Sequence, residues 1–226
     1  MTKTARDFKG LLEAGRWFGA ISGPFREALL DAAVVRSLPE GQRLFSRGDA
    51  CDGLFCVVDG AITTTGVGVS GKEAVLAVVE APQWFGEIAI FDGLARTHDA
   101  EAAVDSMVLQ VPMAALDAIF AAHPQWWREL GLLLAAKLRA AFLVLEDTAL
   151  SPLVSRVAAR LVYMAQGDWA DRSRRVVKVS QELLAAMLSA SRQSINQTLK
   201  QLEAQGLVKV AYKEIEILDL ERLRAV

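Results

Sequence analysis

The sequence predicts an α+β protein in three parts: a β-rich domain over residues 1–123, a long apolar helix over 124–150, and a winged helix-turn-helix over 151–226. Three observations carry that expectation. Short apolar runs punctuated by Gly41, Gly48, Gly60 and Gly71 follow Val34, as in an antiparallel sandwich or barrel. Leucines then recur at helical spacing from Leu130 to Leu145. Finally, two short helical patterns separated by Ser189-Ala190-Ser191 run into two strand-like stretches.

Composition bounds the possibilities. With 226 residues, 53% hydrophobic and 23% charged, the chain is globular, with one or two domains. Its N-terminus is charged and lacks the apolar core of a secretory signal. The longest apolar stretch, Leu132 to Leu145, is interrupted by Lys137 and Arg139 and is too short to span a bilayer. A cytoplasmic protein without membrane contact is expected. Cys51 and Cys56 cannot make a zinc or iron–sulfur site by themselves, and His98 and His123 lie far apart. No metal is expected, and a jelly-roll enzyme would need a His/carboxylate cluster that is missing. The expected protein is not an enzyme. Charge is uneven: residues 1–150 carry 13 Lys/Arg against 19 Asp/Glu, net −6, whereas residues 151–226 carry 12 against 8, net +4. The basic end is suited to a polyanion.

Taken in order, residues 1–35 read as helical. Strand candidates follow at Arg43-Leu-Phe, Leu54-Phe-Cys-Val-Val, Ala61-Ile-Thr-Thr-Thr and Ala74-Val-Leu-Ala-Val-Val. Pro112 suits the first turn of a returning helix. Between these lies Trp84-Phe-Gly-Glu-Ile-Ala-Ile-Phe-Asp-Gly-Leu-Ala-Arg-Thr-His. Gly86 admits a close backbone approach, and the short helix after it offers free N–H groups to an anion. Arg96 can fork onto phosphate oxygens with Thr97 adding a hydroxyl. Glu87 can only accept hydrogen bonds, so it suits a sugar hydroxyl. The competing reading is a surface turn with a solvated Arg96.

In the long helix, Leu130, Leu134, Leu138, Ala141 and Leu145 form one stripe, as a self-association seam requires. An ordinary core helix is the alternative. Ser151-Pro152 breaks the helix and starts another, making a candidate hinge. Arg172, Arg174 and Arg175 form a basic cluster suited to phosphates or to solvent. Ser180 caps one helix, and a second runs from Arg192 to Gln205 with Ile195, Leu199 and Leu202 inward. Its other face carries Arg192, Gln193, Asn196, Gln197 and Lys200, side chains that read base edges and phosphates. Gly206 ends it, and strands flank Lys213-Glu214.

Phe85-Gly86-Glu87-Ile88-Ala89 with Arg96-Thr97 resembles the phosphate-binding cassette of cyclic-nucleotide-binding domains, and the glycine-spaced strands upstream resemble their jelly roll. Ser191-Arg192-Gln193-Ser194-Ile195-Asn196 with Leu202-Glu203-Ala204-Gln205-Gly206-Leu207-Val208 resembles the recognition helix and wing of CRP/FNR transcription regulators, which join the same two domains. The resemblance implies a β jelly roll, a dimerisation helix and a winged helix-turn-helix. It implies a homodimer on a palindromic double-stranded DNA operator, with RNA polymerase as a further partner. Gly86, Ile88 and Ala89 would give backbone contacts, Glu87 would hold the ribose 2′-hydroxyl, and Arg96 and Thr97 the cyclic phosphate. Ser180, Ser191, Arg192, Gln193, Asn196, Gln197 and Lys200 would face DNA. Gln193 and Gln197 stand where the family often has Glu and Arg, which predicts an altered half-site. Ser189 replaces a frequent turn glycine.

The implied effector is a cyclic nucleotide: cyclic AMP is favoured, with cyclic GMP and cyclic di-GMP open. The positions that would meet adenine's amino group hold Ala141 and Phe142, and neither accepts a hydrogen bond; Phe142 can stack on a base. The runner-up is DNA binding without a nucleotide, constitutive or answering another signal such as haem on His98.

Overall fold

The computed structural model describes residues 3–68, 73–166 and 176–226. The predicted turn at Gly71 and the basic cluster Arg172, Arg174 and Arg175 lie outside them. The described chain divides into two compact units, with the boundary inside the long helix between Leu138 and Arg139. The first turns of that helix therefore belong to the β domain, and the remainder to the C-terminal unit.

In the first unit, α1 (Lys9–Glu13), α2 (Arg16–Ala20) and α3 (Gly23–Ala32) precede eight strands. These are β1 (Val34–Leu38), β2 (Arg43–Phe45), β3 (Gly53–Asp59), β4 (Ala61–Val67), β5 (Glu73–Glu80), β6 (Trp84–Phe85), β7 (Asp99–Ala102) and β8 (Ser106–Pro112). The short helix α4 (Ile88–Asp92) lies between β6 and β7, and α5 (Met113–Ala122) follows β8. Pro112 closes β8 and stands just outside α5, one position earlier than its helix-starting chemistry suggested.

The strands form two four-stranded sheets, ordered β1-β8-β3-β6 and β2-β7-β4-β5. All recorded pairings within them are antiparallel. This is the predicted sandwich. Strand β3 shows why its sequence is apolar without alternation. Leu54, Cys56 and Val58 face a core built with Trp17, Phe25 and Trp84, whereas Phe55 and Val57 face the space between the sheets with Ile62 and Val108. A strand covered on both faces needs apolar residues on both.

The long helix α6 (Trp126–Leu150) begins in that first core. Trp126, Leu130 and Leu133 are buried there, and Trp126 stacks on Phe25 at 5.1 Å between centroids. Glu129 ties the helix down: its carboxylate accepts from the Ser22 hydroxyl at 2.8 Å, and its carbonyl accepts from Trp17 Nε1 at 2.7 Å. This corrects the seam. Leu130, 0% exposed, is filled by its own chain and is not available to a partner.

The second unit holds the rest of α6, then α7 (Leu153–Gln166), β9 (Val176–Val177), α8 (Gln181–Met187), α9 (Arg192–Ala204), β10 (Val208–Ala211), β11 (Glu214–Ile217) and α10 (Leu220–Arg224). Its core joins Val157, Leu161, Leu184, Ile195, Leu199, Leu202 and Ile215. Ser180 and Ser191 cap α8 and α9, accepting from Leu183 N and Ser194 N at 3.0 Å each. Ser189 adopts φ +51 in the turn between them, the left-handed conformation that its frequent glycine counterpart suits. The hairpin register pairs Ala211 with Glu214, so the turn falls on Tyr212-Lys213, one residue before the expected one. Strand β9 completes a three-stranded sheet, β10-β11-β9, and α10 closes the unit. Neither was legible as an element in the sequence.

Candidate functional site

The cassette starts where β6 ends. Phe85 pairs with Phe55 of β3, and Gly86 then turns with φ +93 into α4. A Cβ on Gly86 would lie 2.9 Å from Arg96 Nη1, so the glycine leaves space that the guanidinium uses. The N–H groups of Ile88 and Ala89, in the first turn of α4, have no partner within the helix. The Ala89 side chain is buried, and that of Ile88 is largely exposed.

Arg96 is no solvated surface arginine. It is buried, its backbone N–H donates to Asp49 O at 2.8 Å, and its carbonyl accepts from Gly48 N at 2.9 Å. Nη1 donates to Gly86 O at 2.8 Å; Nη2 donates to Asp52 Oδ1 at 2.6 Å and Gly53 O at 2.7 Å. The guanidinium lies over Phe45, 4.4 Å from the ring centroid. Its Nε is buried without a partner. Asp52 is itself oriented by Gln110, whose Nε2 donates to Oδ2 at 3.1 Å, and Gln110 in turn accepts from Arg36 at 3.0 Å. Asp52 is far more exposed than Arg96, so an incoming oxyanion can displace that carboxylate while the carbonyl contacts hold the guanidinium in place.

Glu87 is buried, and its Oε2 accepts from Lys137 Nζ of α6 at 2.8 Å. Among the described residues no hydrogen bond is recorded to Oε1, which leaves an acceptor for a hydroxyl. Thr97 is exposed, and its hydroxyl is 2.8 Å from His98 Nδ1. Burial, and to a lesser degree Arg47, pull the His98 pKa below the usual histidine range. Glycine without a Cβ, free first-turn N–H groups, an arginine with an orphaned Nε and a carboxylate with a spare oxygen suit a ribose phosphate. Phe142 is exposed and belongs to the second unit. Asp52, Gln110 and Lys137 were missed by sequence reasoning. Asp52 and Gln110 carry no local signal, and Lys137 reads only as an interruption of an apolar run.

On α9, Arg192, Gln193, Gln197 and Lys200 are exposed, and Ile195, Thr198, Leu199 and Leu202 face the core. Arg192 Nη1 meets Glu182 Oε1 at 2.7 Å in an exposed pair, which costs little to open. Asn196 is half-buried and donates to Gln181 Oε1 at 3.0 Å. The Ser180 and Ser191 hydroxyls are used as caps. Of the remaining seam residues, Leu134 is half-buried, and Leu138, Ala141 and Leu145 are exposed.

Among the described residues, no group of three or more His, Cys, Asp or Glu could hold a metal ion, and no helix is long and apolar enough to cross a membrane. Residues 35–123 match the cyclic nucleotide-binding domain family, and residues 155–226 match the Crp-like helix-turn-helix domain family. The chain is 29% identical over 200 residues to the CRP-like cAMP-activated global transcriptional regulator of Mycobacterium tuberculosis, spanning 85% of this chain and 89% of that one. In fold it is similar to FixK2 of Bradyrhizobium japonicum, with a TM-score of 0.76, 21% identity, and 85% and 96% of the two chains covered. It is also similar to the c-di-GMP responsive global regulator CLP of Xanthomonas campestris, with a TM-score of 0.68, 19% identity, and 88% and 100% covered.

A cyclic nucleotide-binding domain followed by a helix-turn-helix defines a DNA-binding transcription regulator. The chain belongs to the CRP/FNR family of such regulators.

Proposed function

We propose that the protein is a homodimeric regulator whose affinity for a palindromic operator is set by a cyclic nucleotide, cyclic AMP in preference to cyclic GMP or cyclic di-GMP. The observation that carries this reading is the joint placement of Arg96 and Glu87 on either side of Gly86: the arginine reaches the Gly86 carbonyl, and the buried carboxylate follows it in the chain. Arg96 Nε, the N–H groups of Ile88 and Ala89 and the Thr97 hydroxyl would hold the phosphate. Glu87 Oε1 would hold the 2′-hydroxyl, and Phe142 would stack on the base. The name of the M. tuberculosis relative supports cyclic AMP.

Self-association is supported by the exposed apolar row on α6, where Leu138 is 54% and Leu145 is 63% exposed. Leu134, Leu138, Ala141 and Leu145 form the proposed seam. In the dimer each α9 would enter a major groove, the two about 34 Å apart. Arg192 and Gln193 would read bases, with Asn196, Gln197, Lys200 and the helix-capping serines, Ser180 and Ser191, beside them. RNA polymerase is the proposed further partner. The nucleotide acts by binding one arrangement of the dimer better than the other.

Calorimetric titration with the three nucleotides tests the effector. Binding of cyclic AMP that disappears in Arg96→Ala supports the reading. Absence of binding to any of them favours the second reading, effector-free DNA binding. That reading has its own observation: Arg96 and Glu87 both already hold partners within the chain, Asp52 and Lys137.

A further inference from the structure

We propose that the C-terminal unit carries a second ligand site, a cavity for a small amphipathic organic anion with an oxyanion head on an apolar body. The cavity has a volume of about 490 Å³, within the range of small-molecule sites. All its lining residues belong to the C-terminal unit, so it is separate from the cassette. Leu143 and Val144 of α6, Val162 of α7 and Leu188 after α8 give it apolar walls.

Two arginines from successive turns of α7 supply the positive end. Arg160 is 8% exposed, and among the described residues no ion pair is recorded for it. Arg156 donates through Nη2 to the Leu188 carbonyl at 2.6 Å, and its Nε is buried without a partner. Burial pulls the Arg160 pKa below the ordinary arginine range, and the nearby Arg156 acts in the same direction. Asp147 on the cavity wall opposes this only in part, as does Tyr163. The third arginine, Arg224, is occupied by Glu221 at 2.7 Å. A buried guanidinium, Arg160, beside a half-buried one, Arg156, whose Nε donor is unused, forms a costly arrangement that an oxyanion relieves. The apolar walls leave room for a hydrocarbon body beside the head.

The α6 wall of the cavity is Ala140, Leu143, Val144, Asp147 and Thr148; the first four share one helical face, and Thr148, seven residues after Ala141, borders the proposed seam. At about 100° per residue that face lies roughly a third of a turn from the row Leu134, Leu138, Ala141 and Leu145. A second copy on that row would meet the cavity at Thr148 and leave its other α6 residues to a small ligand.

The test is calorimetric titration of the full chain with dodecanoate and dodecyl phosphate below their micelle concentrations, with dodecanol as the neutral control. Saturable binding of one or both anions, at one per chain, is expected, with dodecanol bound about tenfold or more weakly. The two anions show whether a carboxylate or a phosphate head is preferred. Arg160→Gln is expected to weaken the anion about tenfold, and Ala159→Phe, which adds bulk to the cavity wall and keeps both arginines, to abolish binding. Arg96→Ala is expected to leave it unchanged, so this result stands apart from the nucleotide reading. Equal binding of dodecanol, or unaltered binding by folded Ala159→Phe protein, overturns the proposal.

Discussion

Lys137 Nζ lies 2.8 Å from Glu87 Oε2, and this pair joins the cassette to the long helix: the Glu87 side chain is 3% exposed and that of Lys137 is 36% exposed. The lysine neutralises a carboxylate that burial would otherwise destabilise. It also leaves Oε1 for a ligand hydroxyl. If the ribose 2′-hydroxyl takes that oxygen, 2′-deoxy cyclic AMP binds about ten- to a hundredfold more weakly than cyclic AMP, as loss of one hydrogen bond to a charged acceptor requires. Calorimetry with the two nucleotides checks it, and equal affinity would remove Glu87 from the ribose contact.

Removing the lysine alone leaves a buried charge unpaired. Lys137→Met is expected to lower the stability of the protein by about 1–3 kcal/mol, measured by urea denaturation at neutral pH. Lys137→Arg restores most of the loss, because it keeps a cation on Oε2.

At Gly86 both the backbone and the neighbouring side chain exclude a Cβ. With φ +93 and Arg96 Nη1 at 2.9 Å from the would-be Cβ, Gly86→Ala is expected to cost about 1–2 kcal/mol and to shift the guanidinium. Nucleotide affinity falls with it, whereas DNA binding without nucleotide stays at its starting level. A fluorescence-anisotropy titration of both ligands separates these effects.

Arg192 pairs with Glu182, and the proposed operator contact would take it from that partner. Arg192→Ala is expected to cost about 1–3 kcal/mol of operator affinity and to relax the base preference at one position of each half-site. Glu182→Gln frees the arginine and removes a negative charge, so it is expected to raise affinity a few fold at low salt. Selection of bound sequences from a randomised pool reads the first effect, and anisotropy reads the second.

The fold was legible wherever one short stretch carried its own reason. The β3 run, the Gly86 turn, the Ser180 cap and the turn at Ser189-Ala190-Ser191 are local features, and each has the predicted place in the structure; that Ser191 also caps α9 was not read. What failed to show were partnerships across long separations. Asp52 and Arg96 are brought together by the jelly roll, and Gln110 reaches Asp52 from another strand. Lys137 finds Glu87 only because Trp126, Leu130 and Leu133 anchor α6 in the β-domain core. The same anchoring explains why Leu130 looked like a seam residue. Its spacing fits the stripe, and nothing local distinguishes a leucine covered by its own domain from one left for a partner. Strand β9 is two residues long and exists through pairing with β11, so its sequence carries no periodicity to read.

The measurement that tests the account most directly is the affinity of the purified protein for its selected operator duplex, with and without saturating cyclic AMP, in wild-type and Arg96→Ala forms. The nucleotide is expected to tighten wild-type binding about tenfold or more, a coupling of about 1.4 kcal/mol or greater, and to leave the variant at the nucleotide-free level. Equal operator affinity with and without the nucleotide in the wild-type protein would contradict it.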